Sequence, residues 1–131
     1  LRVKLKYLDN NNNLRRDKAY YYKKRLKEYN LILPNPISDE DHVYHLYVVL
    51  SSQRDKLRLY LDNMNIQTSI HYPLPIHKQK AFYNKIQTAN QMSNTEFISD
   101  RILSLPMYPE ISNDQIDYIC NSIDEFYSLS I

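Results

Sequence analysis

The sequence contains no glycine in 131 residues. Backbone conformations with positive φ must therefore be adopted by residues with a Cβ atom, and asparagine and aspartate tolerate them best. Thirteen asparagines are available for such turns. The same absence excludes the glycine-rich loops that bind phosphates in P-loop and dinucleotide-binding proteins. If the protein holds a phosphate group, we expect other residues to do so.

Size, charge and cysteine content favour one domain of a cytoplasmic protein. The net charge is only +2, which gives no strong field for nucleic acid, an anionic membrane or an acidic partner. Cys120 is the single cysteine, so an internal disulfide cannot form. The sequence LRVKLKYLDN lacks the apolar core of a signal peptide, and no stretch approaches the ~18 apolar residues that span a bilayer. We expect neither a nucleic-acid nor a membrane partner.

Residues 1–33 are predicted to form one long connecting helix that ends at Pro34 and Pro36. Apolar residues recur along one face of this helix, but Asn12 and Arg15 interrupt them. This pattern fits a helix that leaves one packed body, crosses solvent and joins another. The alternative is a turn at the successive asparagines 10–13 between two shorter helices. The apolar positions are Leu1, Leu5, Leu8, Ala19, Tyr22, Leu26 and Tyr29.

Residues 34–131 are predicted to form a small α/β or α+β domain. Runs of aromatic and β-branched residues indicate strands, and apolar residues at helical spacing indicate helices. In chain order they predict a βαβ-rich layer behind the long helix. The strands are predicted at 42–50 and 65–72 with an extended piece at 102–111, and the helices at 52–64, 77–86, after Ser93 and after Ser112.

Three of these helix starts resemble a capping box, in which a serine and a residue three positions later satisfy each other's backbone N–H groups. The pairs are Ser52 with Asp55, Ser93 with Glu96, and Ser112 with Gln115. The last helix has the clearest apolar face, formed by Ile116, Ile119, Cys120, Ile123 and Phe126.

The histidines and the cysteine do not form a convincing metal site or nucleophile. His42 and His45 are three residues apart on a predicted strand, so their side chains should face opposite sides. His71 and His77 could converge, but nearby ligands do not complete a tetrahedral set. Cys120 lies on an apolar helix face, where a cysteine is usually a small buried hydrophobe. We therefore expect neither a metal site nor a reactive thiol.

Charged residues and tyrosines alternate in the stretch RRDKAYYYKKRLK, a pattern that some RNA-binding proteins have. Tyr22 and Leu26 fall on the apolar face of the helix, whereas most of the charges fall elsewhere. A solvated helix face is therefore the preferred interpretation.

The stretch SIHYPLPIHKQ predicts a binding loop. A strand that ends in His71 and Tyr72, two prolines and a helix starting near His77 would fix a rigid loop with polar tips at the end of a sheet. Binding groups gather at such positions in α/β proteins. The alternative is a proline turn whose aromatic residues pack locally.

Three segments together resemble the C-terminal part of DegT or StrS-type aminotransferases. They are HVYHLYVVL, LDNMNIQTSIHYPLPIHKQKAF and RILSLPMYPEISNDQIDYI. The N-terminal stretch resembles the long helix by which that family passes from its large domain to its small one. The resemblance implies a C-terminal small domain of a pyridoxal-phosphate enzyme of fold type I, taken from a chain about three times longer.

This resemblance implies that the whole enzyme, a homodimer, transfers an amino group from a donor such as glutamate to a nucleotide-linked keto sugar. The HYP sequence is most similar to members that aminate the third sugar carbon. The lysine that binds pyridoxal phosphate would lie in the large domain, so the 131-residue segment alone is expected to be inactive.

By the same resemblance, His71, Tyr72 and His77 would bind substrate, because imidazole and phenol groups can hydrogen-bond to sugar hydroxyls and phosphates. The competing interpretation is a stand-alone binding or dimerisation module without catalysis.

Overall fold

The computed structural model describes residues 1–26, 31–36, 42–83, 85–88 and 91–129. Helices α1 (Arg2–Leu5) and α2 (Leu8–Arg25) come first, followed by strands β1 (Leu31–Ile32) and β2 (Tyr47–Ser51). Helix α3 (Arg54–Asn63), a 3-10 helix (Ile76–Lys78), helix α4 (Ser93–Ser99), strand β3 (Ile102–Leu105) and helix α5 (Asn113–Leu129) complete the order.

The three strands form one antiparallel sheet in the order β1-β2-β3. Tyr47 pairs with Leu105 and Leu50 with Ile102, while Leu31 pairs with Ser51. Side chains of β2 alternate between buried and half-buried, whereas all four residues of β3 are buried. The mixed fold class is therefore confirmed as α+β. The antiparallel pairing of β2 with β3 shows that the predicted βαβ connectivity is wrong.

One core joins the sheet to three helices. Helix α5 contacts both α2 and α3, and α3 also contacts β2 and β3. Tyr22 of α2 stacks on Tyr47 of β2 with ring centroids 4.8 Å apart. The side chains at the centre of this core are Tyr22, Leu26, Val49, Leu57, Leu61, Leu103, Ile116, Cys120 and Ile123.

The N-terminal helix differs from both predicted arrangements. The asparagines at 10–13 lie inside α2, so the proposed turn there is wrong. The single long helix is also wrong, since Lys6 and Tyr7 separate α1 from α2, with Tyr7 outside the helical conformation, and α2 ends at Arg25. Tyr29 lies outside the described residues. The division of the chain at residue 33 stays a prediction, although β1 shows that the helix does not extend to it.

Two arginines of α2 bond this helix to the loops beside the sheet and to α5. The Arg15 guanidinium, near the middle of α2, donates through Nη1 to the carbonyls of Tyr44, His45 and Met107, at 3.4, 3.3 and 3.1 Å. At the C-terminal end of α2, Arg25 Nε lies 2.8 Å from Asp117 Oδ1 of α5. Arg15, which interrupts the apolar face in the sequence, is therefore a cross-link between elements.

Several local predictions for the domain are wrong. Residues 42–46 precede β2, so His42 and His45 are not strand residues. Of the predicted strand at 65–72, only Ser69 pairs, as an isolated bridge to Ser104. Among the described residues of 77–86, only His77 and Lys78 are helical, as the end of the 3-10 helix, because Gln79 adopts an extended conformation with ψ at 136°.

The predictions for helix caps and for residues with positive φ are each confirmed only in part. Ser112 and Gln115 form the expected box, with bonds of 3.1 and 2.9 Å. Neither α3 nor α4 has a side-chain cap, and their N-cap residues are Gln53 and Met92. Among the described residues, positive φ occurs at Asn65, as expected of asparagine, but also at Tyr44 and Met92, which sequence reasoning missed.

Candidate functional site

The loop after Ser69 is anchored to β3 by paired backbone bonds. The Ser69 N–H donates to the Ser104 carbonyl at 3.1 Å, and the Ser104 N–H donates back at 2.8 Å. Next in the loop, His71 Nδ1 lies 3.1 Å from the Ser104 hydroxyl oxygen. The peptide bond between His71 and Tyr72 is cis. The strand that carries most of the buried sheet surface therefore also positions the predicted binding loop.

Tyr72 and His77 line one groove. Its volume is about 800 Å³, and much of its wall is apolar, including Ile76, Met92 and Ile98. Tyr72 is 77% exposed, so its phenol is accessible from solvent. The two side chains are therefore placed where they can contact a small molecule, as a binding site requires.

His71 has a different position from the other two predicted residues. It is exposed, but it does not line the groove. Its ring lies edge-on to Tyr72 with centroids 6.1 Å apart, and its Nδ1 faces Ser104. The structure thus brings two of the three predicted residues together and leaves His71 behind Tyr72.

His77 is held from the opposite side by Glu96 of α4. Nε2 of His77 lies 3.0 Å from Glu96 Oε1, and the side chain of His77 is only 14% exposed. The Lys78 ammonium donates to the other carboxylate oxygen, Oε2, at 2.8 Å. The Lys78 ammonium and, after it, the His77 imidazole hold the pKa of the Glu96 carboxyl below its ordinary value. Glu96 is therefore ionised and accepts both bonds.

Sequence reasoning missed this role of Glu96. It assigned Glu96 to a capping box with Ser93, but α4 begins after Met92, which adopts a left-handed conformation. The sequence carries no signal for this pair, because His77 lies 19 positions earlier and only the fold brings the two side chains together. Sequence spacing alone does not reveal such a pair.

A second groove of about 700 Å³ lies between the N-terminal helices and the loops around the sheet. Lys4, Tyr7, Arg15, His45 and Glu110 line it. It contains groups of both charges, and Arg15 is already bonded to three carbonyls. We find no chemistry in this groove beyond its part in joining the elements.

The contacts of His42 and the burial of Cys120 are those of structural residues. His42 Nδ1 accepts a bond from the Tyr44 N–H at 2.9 Å. Cys120 is buried, as expected, and its burial raises the pKa of the thiol to about 12. Within the described ranges, histidine, cysteine and acidic side chains form no group of three that could hold a metal ion. Nor does that part of the chain contain a helix both long and apolar enough to cross a membrane.

Solved aminotransferases share this arrangement of helices around a small sheet. A DegT DnrJ EryC1 StrS aminotransferase from Brucella abortus matches 97% of the chain with a TM-score of 0.90 and 30% identity. The Bacillus subtilis protein ntda, solved with bound cofactor PMP, matches 94% with a TM-score of 0.83 and 27% identity. The fold is thus that of one part of an aminotransferase.

The chain belongs to the DegT/DnrJ/EryC1/StrS aminotransferase family, whose model matches residues 1–124. A curated relative from Aneurinibacillus thermoaerophilus, named dTDP-3-amino-3,6-dideoxy-alpha-D-galactopyranose transaminase, is 38% identical over 126 residues. The match covers 96% of this chain and 34% of that relative. The chain therefore spans about a third of the length of the curated relatives that it matches, and of the solved structures.

Aminotransferases of this family depend on pyridoxal phosphate, but the described residues do not assemble a site for it. Such a site needs a lysine amine inside the active-site pocket and a cup for the phosphate. All described lysines are exposed except Lys18, which is half-buried and donates to Asn113 Oδ1 at 2.9 Å. Lys78, beside the groove, is paired with Glu96. These residues alone do not fit the cofactor.

Proposed function

We propose that this chain is the C-terminal part of an aminotransferase that adds an amino group to a nucleotide-linked keto sugar. The observation that carries the proposal is the groove of about 800 Å³ in which Tyr72 and His77 meet, within a chain of this family. The chain would close one side of the active site. The remainder of the polypeptide would supply the lysine and would bind the cofactor and an amino donor such as glutamate, so the segment alone is inactive.

The roles of the three loop residues follow from their surroundings. Tyr72 presents a phenol that can donate to or accept from a sugar hydroxyl. His77 presents an imidazole backed by Glu96. His71, which faces Ser104, would contact ligand only at the outer edge of the groove and otherwise supports Tyr72. The apolar wall formed by Ile76 and Ile98 suits a sugar that has lost a hydroxyl.

The finer assignment rests on one relative. The A. thermoaerophilus protein carries a 3-amino-3,6-dideoxy sugar in its name, and the HYP sequence suggests the same carbon. We propose amination at the third carbon, by a homodimer in the cytoplasm.

The proposal is tested on the polypeptide that joins these residues to an upstream large domain. The reading frame preceding Leu1 should encode that domain with its lysine, and the protein should show a cofactor absorbance band that borohydride shifts. A gene product that begins near Leu1 and binds no cofactor would favour the stand-alone module instead.

Within that polypeptide, Tyr72→Phe should raise the KM for the keto sugar about fivefold with little change in kcat, because one hydrogen bond to the bound sugar is lost in ground state and transition state alike. Tyr83→Phe is the matched control, since Tyr83 is exposed but does not line the groove. Equal KM values for both variants would remove Tyr72 from the site.

A further inference from the structure

The side chain of Glu96 joins helix α4 to the loop through two bonds from successive residues. Oε1 faces His77 Nε2 at 3.0 Å, and Oε2 accepts from Lys78 Nζ at 2.8 Å. His77 and Lys78 lie in the 3-10 helix that follows Pro75. Glu96 therefore fixes the position of this helix on one side of the groove.

The bond to Glu96 determines which nitrogen of His77 carries a proton. An ionised carboxylate can only accept hydrogen bonds, so the nitrogen opposite it must be Nε2–H. The remaining nitrogen, Nδ1, has no hydrogen-bond partner among the described residues. In a neutral ring this nitrogen is an acceptor only.

Glu96 supplies the acceptor that faces His77. The charged and titratable groups around the His77 ring are Glu96 of α4, Lys78 of its own turn, and Tyr72 across the shared groove. The polar lining residues Gln79, Gln87, Thr88 and Thr95 carry no charge.

We propose that Glu96 is a positioning residue that holds His77 with its proton on Nε2, so that Nδ1 is left to accept a hydrogen bond from a ligand hydroxyl. This inference depends on the proposed function only for the identity of the ligand that supplies the hydroxyl. It assigns the groove beside His77 to the sugar ring.

The test is nitrogen-15 NMR of the histidine side chains at pH 8, in the wild type and in Glu96→Ala. The wild type should show a protected Nε2 proton on His77 and an unprotonated Nδ1. Glu96→Ala should lose the Nε2 proton signal, since nothing else shields it from exchange, and should show both tautomers. The His77 resonances are identified by their absence in His77→Gln.

Lys78→Ala is the matched control, because it breaks the other bond to the same carboxylate. It should leave the Nε2 proton of His77 in place. His71, which pairs with Ser104, reports whether each variant stays folded. A wild-type ring protonated at Nδ1, or an Nε2 proton that persists in Glu96→Ala, would overturn the inference.

A second arm separates this inference from the proposed function. With the full polypeptide, saturating methyl glycoside should shift the His77 Nδ1 resonance, and inorganic phosphate should not. A shift produced by phosphate contradicts the acceptor role. If the Nε2–H tautomer depends on Glu96 but the glycoside has no effect, the positioning role stands and the proposed sugar site fails.

Discussion

Two buried tyrosines of the core differ in one hydrogen bond. The Tyr127 hydroxyl lies 2.7 Å from the Ser51 hydroxyl oxygen, which also accepts from the Gln53 N–H at 3.0 Å. The Tyr47 hydroxyl is also buried but has no hydrogen-bond partner in the described structure. A buried polar group without a partner costs free energy, whereas a satisfied one contributes a little.

This difference predicts opposite results for two identical substitutions. Tyr127→Phe should lower the free energy of unfolding by about 1–2 kcal/mol, because it removes a buried hydrogen bond of Ser51. Tyr47→Phe should leave the free energy of unfolding unchanged or raise it. Urea denaturation of the two variants and the wild type measures both effects. A loss in Tyr47→Phe as large as that in Tyr127→Phe would indicate that Tyr47 has a partner.

The burial of Cys120 predicts a loss of stability in alkali. Burial raises the pKa of the folded thiol from its ordinary 9.0 to about 12. Between these values the folded state binds more protons than the unfolded state, so the free energy of unfolding falls as pH rises from about 9 to about 12. Below pH 9 the thiol contributes no pH dependence. Burial also raises the pKa of Tyr22 and Tyr47, which adds to the fall above pH 10.

The measurement is denaturant unfolding at several pH values from 8 upward. Cys120→Ala should show a shallower fall over the same window, with the tyrosines producing what remains. Equal slopes for Cys120→Ala and the wild type would mean that the thiol titrates normally. Both slopes are taken relative to pH 8, so any loss of packing in the variant does not affect the comparison.

Elements whose signal is local were predictable from sequence, and those that depend on distant partners were not. Helix α5 has a capping box and an apolar stripe within its own residues, and both are confirmed. Strand β1 has two residues and exists only through its pairing with β2, so its sequence carries little pattern. For α4, the left-handed Met92 takes the N-cap position, and Ser93 becomes the first helical residue.

The two serines give a direct test of cap geometry. Ser112→Ala should lower the free energy of unfolding by about 1 kcal/mol, because the Gln115 N–H loses its side-chain acceptor. Ser93→Ala should change it by less than about 0.5 kcal/mol, since α4 has no side-chain cap and Ser93 is exposed. Thermal or urea unfolding compares the variants, and equal losses would show that both serines cap.

For the whole molecule, the N-terminal helices carry a group of exposed apolar residues. Leu5 is 63% exposed, and Leu1 and Leu8, four residues before it and three after it, are exposed with it. Exposed apolar residues grouped in this way are typical of a surface that another protein body covers. The chain spans about a third of the length of the curated relatives that it matches, and the upstream domain proposed above would supply that body.

By itself, the 131-residue chain should self-associate through this surface. Sedimentation should show a monomer–dimer equilibrium that Leu5→Lys shifts towards monomer. Leu59→Lys is the matched control, because Leu59 is equally exposed at 66% but lies on α3. A wild-type chain that stays monomeric at high concentration contradicts the prediction.

The candidate site was only partly predictable from the sequence. The prolines and aromatic residues of HYPLPIHKQ indicate a rigid polar loop, and the structure brings Tyr72 and His77 to one groove. The bond from His77 to Glu96 spans 19 residues, and the contact of His71 with Ser104 spans 33. Such pairs depend on how β3 and α4 pack, which no periodicity in the sequence encodes.

The three carbonyls that hold Arg15 have a mechanical consequence. With Arg15 near the middle of α2 and Arg25 at its C-terminal end both bonded to the rest of the domain, the helix and the sheet should move as one rigid body. Rotation relative to any body attached before Leu1 would then concentrate at Lys6 and Tyr7, where the helix is interrupted. The pivot of the molecule would thus lie at the second groove, which Lys4 and Tyr7 line, far along the chain from the proposed sugar-binding residues.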